Sequence, residues 1–161
     1  MQEVQVDGEA RRPPADFYVI HPPDWVNVVA LLPDDRVVLI EQWRHGVLHP
    51  TLEIPGGVIE AGEDPMVAAR RELAEETGYT ASTWKKLGVV EPNPAIQSNR
   101  CHTYLASGCQ PGPTRFDEHE RIQAHLLGFE EALAAVAQGR IEHALCVAGL
   151  MFAWLDRRGS K

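Results

Sequence analysis

The chain has 161 residues, 44% of them hydrophobic and 24% charged, which suits one soluble globular domain with an ordinary core. Its formal net charge is −8, from 23 acidic against 15 basic residues, and this argues against a protein that coats nucleic acid with a basic face. The same balance disfavours a phosphate site that works without metal cations, because a bound cation is what would reverse the local field.

Residues 1–16 are polar, carry Arg11-Arg12-Pro13-Pro14, and read as a loose arm or short edge hairpin ahead of a domain spanning 17–161. No apolar signal core is found there, and the longest apolar run, Ala144 to Leu155, is too short to span a bilayer. Cys101, Cys109 and Cys146 are an odd number without Cys-x-x-Cys spacing, so reduced thiols in a cytoplasmic protein are expected. Val26–Leu32 and Arg36–Gln42 are rich in β-branched and apolar residues around the turn Pro33-Asp34-Asp35, which predicts a β-hairpin. A short strand over Thr51–Ile54 is expected to end in a loop at Pro55-Gly56-Gly57.

A helix follows, with Asp64 as N-cap, Pro65 at the first helical position, and Met66, Ala69, Leu73 and Thr77 at helical spacing before Gly78. Strands are predicted near Trp84–Glu91, His102–Ala106 and Ile122–Leu127, then helices over Phe129–Gln138 and Glu142–Asp156. Strands flanked by helices in this order predict a mixed α/β sandwich.

Chemistry concentrates in residues 57–79, GVIEAGEDPMVAARRELAEETGY. Glu72, Glu75 and Glu76 stand at i, i+3 and i+4, so the three carboxylates share one helical face. Alone, such a face could simply be solvated, and its like charges would weaken the helix. A hard divalent cation relieves that repulsion, because Mg²⁺ and Mn²⁺ prefer carboxylate and water oxygens. Beyond the glutamates, Gly57, Glu63, Arg71-Glu72, Glu75-Glu76 and Gly78 stand at the spacings of the Nudix box. The chain therefore resembles the Nudix hydrolases.

That resemblance implies an α/β/α sandwich with a mixed β-sheet and a loop–helix–loop holding catalytic divalent metals, Mg²⁺ or as a substitute Mn²⁺, over a diphosphate. It implies Glu72 and Glu76 as principal metal ligands, Glu75 close by in the catalytic group, and the Gly56 carbonyl as a further ligand. Glu63 and Arg71 are then structural, a carboxylate–guanidinium pair locking loop to helix. Three further stretches resemble the ADP-ribose and ADP-sugar diphosphatase branch. Val37 to Arg44 supplies Arg44, a candidate for holding the diphosphate or the terminal sugar phosphate, or else a strand-end arginine in a surface salt bridge. Pro94 falls 16 residues after Gly78, although Glu91-Pro92-Asn93-Pro94-Ala95-Ile96 departs from a Ser-Pro-Gly loop and leaves other nucleotide sugars open. Asp117 to Ile122 resembles the loop carrying the catalytic base, here Glu118, and another metal ligand, here Glu120.

The expected activity is hydrolysis of a nucleoside diphosphate sugar to a nucleoside monophosphate and a sugar phosphate, by a protein that the resemblance implies is a homodimer. A phosphohydrolase for nucleoside triphosphates, dinucleoside polyphosphates or capped RNA is the enzymatic alternative. A non-catalytic nucleotide-binding module is the other, although the intact box carboxylates speak against it. The histidines show no metal-ligand spacing; Trp25 and Trp43 could stack on a base, and Cys146 and Met151 are expected in the core or an interface.

Overall fold

The computed structural model describes residues 2–6, 15–112 and 123–159. In chain order these form β1 (Gln2–Val6), β2 (Ala15–Val19), β3 (Trp25–Leu31), β4 (Arg36–Arg44), β5 (His49–Glu53), β6 (Gly56–Val58), α1 (Pro65–Thr77), β7 (Tyr79–Val90), β8 (Cys101–Pro111), β9 (Gln123–Gly128), α2 (Phe129–Ala137) and α3 (Ala144–Gly159). β1 and β2 pair with each other as an antiparallel hairpin. The other strands make one sheet in the order β5-β4-β3-β8-β7, with β6 on β3 and β9 on β4. Only β3 and β8 run parallel among these pairs, which makes the sheet mixed.

Alternation along β3 explains the layers. Val26, Val28 and Ala30 face a cluster with Ala68, Ala69 and Leu73 of α1, whereas Val29 and Leu31 face Phe129, Ala132, Cys146 and Leu150 of α2 and α3. Successive strand side chains point to opposite faces, so a strand apolar at every position is buried on both. The expected α/β/α sandwich with a mixed sheet is thus the observed one.

The caps act as read from the sequence. Asp64 accepts from the Met66 and Val67 amides at 2.8 and 3.4 Å. Gly78 takes φ 69° and donates to Ala74 at 2.9 Å, ending α1 in the left-handed conformation that favours glycine.

Three expectations shift. Gly56-Gly57 is not a loop but opens β6, antiparallel to Trp25–Asn27. Tyr79–Val90 is an edge strand starting directly at Gly78, well before Trp84; its half-exposed residues give no clean apolar alternation. α3 begins at Ala144 rather than Glu142, the His143 carbonyl accepting from Cys146 and Val147 at 2.9 and 3.1 Å.

Leu73 is fully buried between α1 and β3. Leu73→Ala should lower unfolding free energy by about 2–5 kcal/mol, read from the urea midpoint; a loss under about 1 kcal/mol would mean that α1 is not held by this contact.

Candidate active site

α1 carries the three box glutamates, and the structure places them in graded environments. Glu76 is buried at 5% exposure, the Glu72 side chain is 13% exposed, and that of Glu75 is 43% exposed. Arg71 binds the group together. Its Nε and Nη2 donate to Glu63 at 3.0 and 2.9 Å, while Nη1 donates to Glu72 at 2.8 Å and Glu75 at 3.1 Å. Nη2 also reaches the Val58 carbonyl at 3.0 Å, tying α1 to β6. The Arg71 guanidinium holds the Glu63 carboxyl below its ordinary range, and the Glu63 bond in turn raises Arg71. The expected Glu63–Arg71 lock is present, and it extends to two of the three box carboxylates.

The glycines of β6 admit these carboxylates to the sheet. The Gly56 amide donates to Glu76 Oε2 at 2.8 Å. A Cβ on Gly57 would sit 2.4 Å from Glu72 Oε1, and one on Gly56 only 2.2 Å from the Val26 carbonyl oxygen. Backbone closes Gly56 to a side chain, whereas at Gly57 it is the movable end of Glu72 that stands in the way. Glu72 and Glu76 offer oxygen only, a donor chemistry that suits a hard divalent ion.

Gly56, Gly57 and Val58 also line a cavity of about 530 Å³, together with Trp25, Asn27, Arg44, His45, His49, Glu53 and His143. The box glutamates are not among its lining residues; they meet it through the glycine strand. Arg44 does line it, and its Nε and Nη2 form a bidentate pair with Glu53, both bonds 2.7 Å. Arg44 thus makes an ion pair, but not the expected surface one: its partner is buried and the arginine stands in a cavity wall.

Glu53 is 2% exposed and also accepts from Thr51 at 2.5 Å, with His143 Nδ1 at 3.0 Å and the Cys146 thiol at 3.9 Å. Burial alone would raise its carboxyl, but the bonds from Arg44, His143 and Thr51 outweigh burial and hold it far below the carboxylate range. Sequence reading missed Glu53, Thr51 and His143. The available signal was a carboxylate, Glu53, between Leu52 and Ile54 in a predicted strand, and a carboxylate that becomes buried demands partners.

Glu118 and Glu120 lie outside the described residues. Pro94 is exposed in the β7–β8 connection and does not line the cavity. Trp25 lines the cavity whereas Trp43 is 49% exposed, and Cys146 is buried whereas Met151 is 47% exposed.

The NUDIX domain model matches residues 21–147. The chain is a member of the Nudix family of hydrolases. It is 32% identical over 140 residues to the methanol dehydrogenase activator of Bacillus methanolicus, covering 86% of this chain and 76% of that one. It is 31% identical over 120 residues to the ADP-ribose pyrophosphatase of Bacillus subtilis, covering 73% of this chain and 65% of that enzyme's length. A crystal structure of an ADP compounds hydrolase superimposes with TM-score 0.81 at 20% identity, covering 99% of this chain and 97% of that one, and so shares the fold.

Two comparisons probe the geometry. Gly57→Ala displaces the flexible end of Glu72 and should change stability by less than about 1 kcal/mol, whereas Gly56→Ala must move backbone and should cost about 1–3 kcal/mol or more. Equal urea midpoints for the two would contradict the assigned contacts. For Glu53, a depressed carboxyl contributes stability that is fully present above its ordinary value of 4.5 and fades as pH falls below it. Glu53→Gln should therefore be less stable than wild type at neutral pH by about 1–3 kcal/mol, with the gap narrowing in acid. A gap independent of pH would show that the charge of Glu53 contributes nothing.

Proposed function

We propose that the chain hydrolyses the diphosphate bond of a nucleoside diphosphate sugar, ADP-ribose or a similar compound, with Mg²⁺ as cofactor and Mn²⁺ as a substitute. The observation that carries this reading is the meeting of two chemistries at β6. The box carboxylates reach Gly56 and Gly57 from α1, and the cavity holding Arg44 opens on the same glycines. A neighbouring ADP-ribose pyrophosphatase at 31% identity supports the substrate class.

In this reading Glu72, Glu76, the Gly56 carbonyl and Glu120 hold the cation, and Glu75 completes the acidic face. The bound cation supplies charge for the diphosphate oxygens and lowers the pKa of a water. Arg71 keeps the carboxylates in place while Glu63 keeps Arg71 in place. Glu118 takes the proton of the attacking water as general base. Arg44, pinned by Glu53, presents its remaining N–H groups to the diphosphate or the sugar phosphate. The cavity of about 530 Å³ is of the size that takes a nucleotide-like ligand. Exposed Phe17, Tyr18, Trp43, Val47 and Leu48 are consistent with a homodimer that covers apolar surface, and the reduced-thiol reading with a cytoplasmic one.

Purified protein with Mg²⁺ should turn over at least one of ADP-ribose, ADP-glucose, GDP-mannose and UDP-glucose, measured as phosphate freed by added alkaline phosphatase. Glu76→Gln should abolish that turnover, and Glu118→Gln should reduce it by about 10²–10⁴ while metal remains bound. Turnover confined to triphosphates or dinucleoside polyphosphates would reject the substrate class. A ligand bound but recovered intact would replace catalysis with sensing.

A further inference from the structure

The cavity wall holds a second constellation that the box chemistry does not use. Cys146 Sγ lies 3.4 Å from His143 Nδ1 and 3.9 Å from Glu53 Oε2, and Nδ1 lies 3.0 Å from Oε2. Thiol, imidazole and carboxylate thus converge from β5, from the start of α3 and from the residue just before it. A tetrahedral ion bound at the usual N, O and S distances separates such ligands by about 3.3–3.6 Å. The three observed spacings bracket that range, so the atoms outline one face of a tetrahedron.

We propose that Glu53, His143 and Cys146 form a binding site for a borderline-soft divalent ion of the zinc type, its fourth position open to the cavity. Glu53 and His143 both line that cavity, which gives an ion its route in. Donor chemistry separates this site from the box. Sulfur and imidazole select zinc-like ions, whereas the all-oxygen Glu72 and Glu76 suit Mg²⁺. One thiolate and one carboxylate offset the divalent cation, and Arg44 on Glu53 leaves the cluster with a single positive charge facing the cavity. Arg44 stays on Glu53 as the partner that orients the ligating carboxylate, the arrangement in which metal-bound carboxylates are generally found. On binding, the ion takes the place of the His143 N–H on Oε2. The imidazole proton moves from Nδ1 to Nε2, and the thiol proton leaves to solvent, one proton per ion.

Cobalt(II) is the probe. The full chain, stripped with chelator and titrated in excess Mg²⁺ so that the box stays filled, should take up one equivalent of Co²⁺ with thiolate-to-metal absorption in the near ultraviolet and release one proton. Zn²⁺ should displace the Co²⁺ and raise Tm. Cys146→Ser should remove the thiolate band, and His143→Asn, at a partly exposed position and checked for wild-type circular dichroism, should weaken binding at least about tenfold. Cys109→Ser and Glu76→Gln should leave the band in place. Co²⁺ bound without a thiolate band, a band surviving in Cys146→Ser or lost in Glu76→Gln, or unchanged affinity in His143→Asn would each overturn the site.

Discussion

Three carboxylates on one face of α1 repel one another, and the Arg71 guanidinium offsets that repulsion by bonding Glu72 and Glu75 through one nitrogen while clasping Glu63 with the other two. A lysine could not do this, because it lacks the flat fork of N–H donors that meets several oxygens at fixed angles. The same side chain bonds the Val58 carbonyl, so the electrostatics of the helix and the position of β6 depend on one group. Helix, loop and strand are coupled here through hydrogen bonds to one charged group as well as through the apolar cluster of Ile59, Ala69 and Leu73.

Apolar packing performs the other half of the work by fixing β3. With both faces covered, β3 offers β6 a partner at Trp25–Asn27; that pairing closes Gly56 to a side chain, while the Glu72 carboxylate of α1 crowds Gly57. Asn27 then donates to the Leu145 carbonyl at 2.9 Å, fastening the start of α3 beside the same strand. The cavity follows from these constraints: β5 and the Arg44 end of β4 form one wall, β6 another, and the approach to α3 a third.

Much of this was legible from residue order. Asp64, Pro65 and Gly78 announce α1 because caps are local chemistry, and the β-branched and apolar residues of Val26–Leu32 announce a strand, whereas its coverage on both faces is seen only in the structure. The spacing of Glu63, Arg71 and the box glutamates was equally plain, since a helix converts sequence distance into direction. What escaped was long-range. Glu53 and His143 are 90 positions apart, and nothing local to either says that they meet. β6 escaped because glycine reads as a breaker, while here the missing side chain is what lets the strand form.

The parallel pairing of β3 with β8 has a kinetic side. On its second edge Trp25 finds a neighbour only at Cys101, after the hairpin, the glycine strand, α1 and β7 have intervened, and Asn27 must wait for Leu145. Closing loops of that length costs chain entropy before any contact compensates, so this sheet is assembled late. On a ribosome the box helix emerges with its caps complete, yet the strand it must pack against has one edge open until β8 is made. Competence of the site is therefore acquired only once β8 and the start of α3 have been made, and until then Val26–Leu31 is the segment most in need of shelter from other chains.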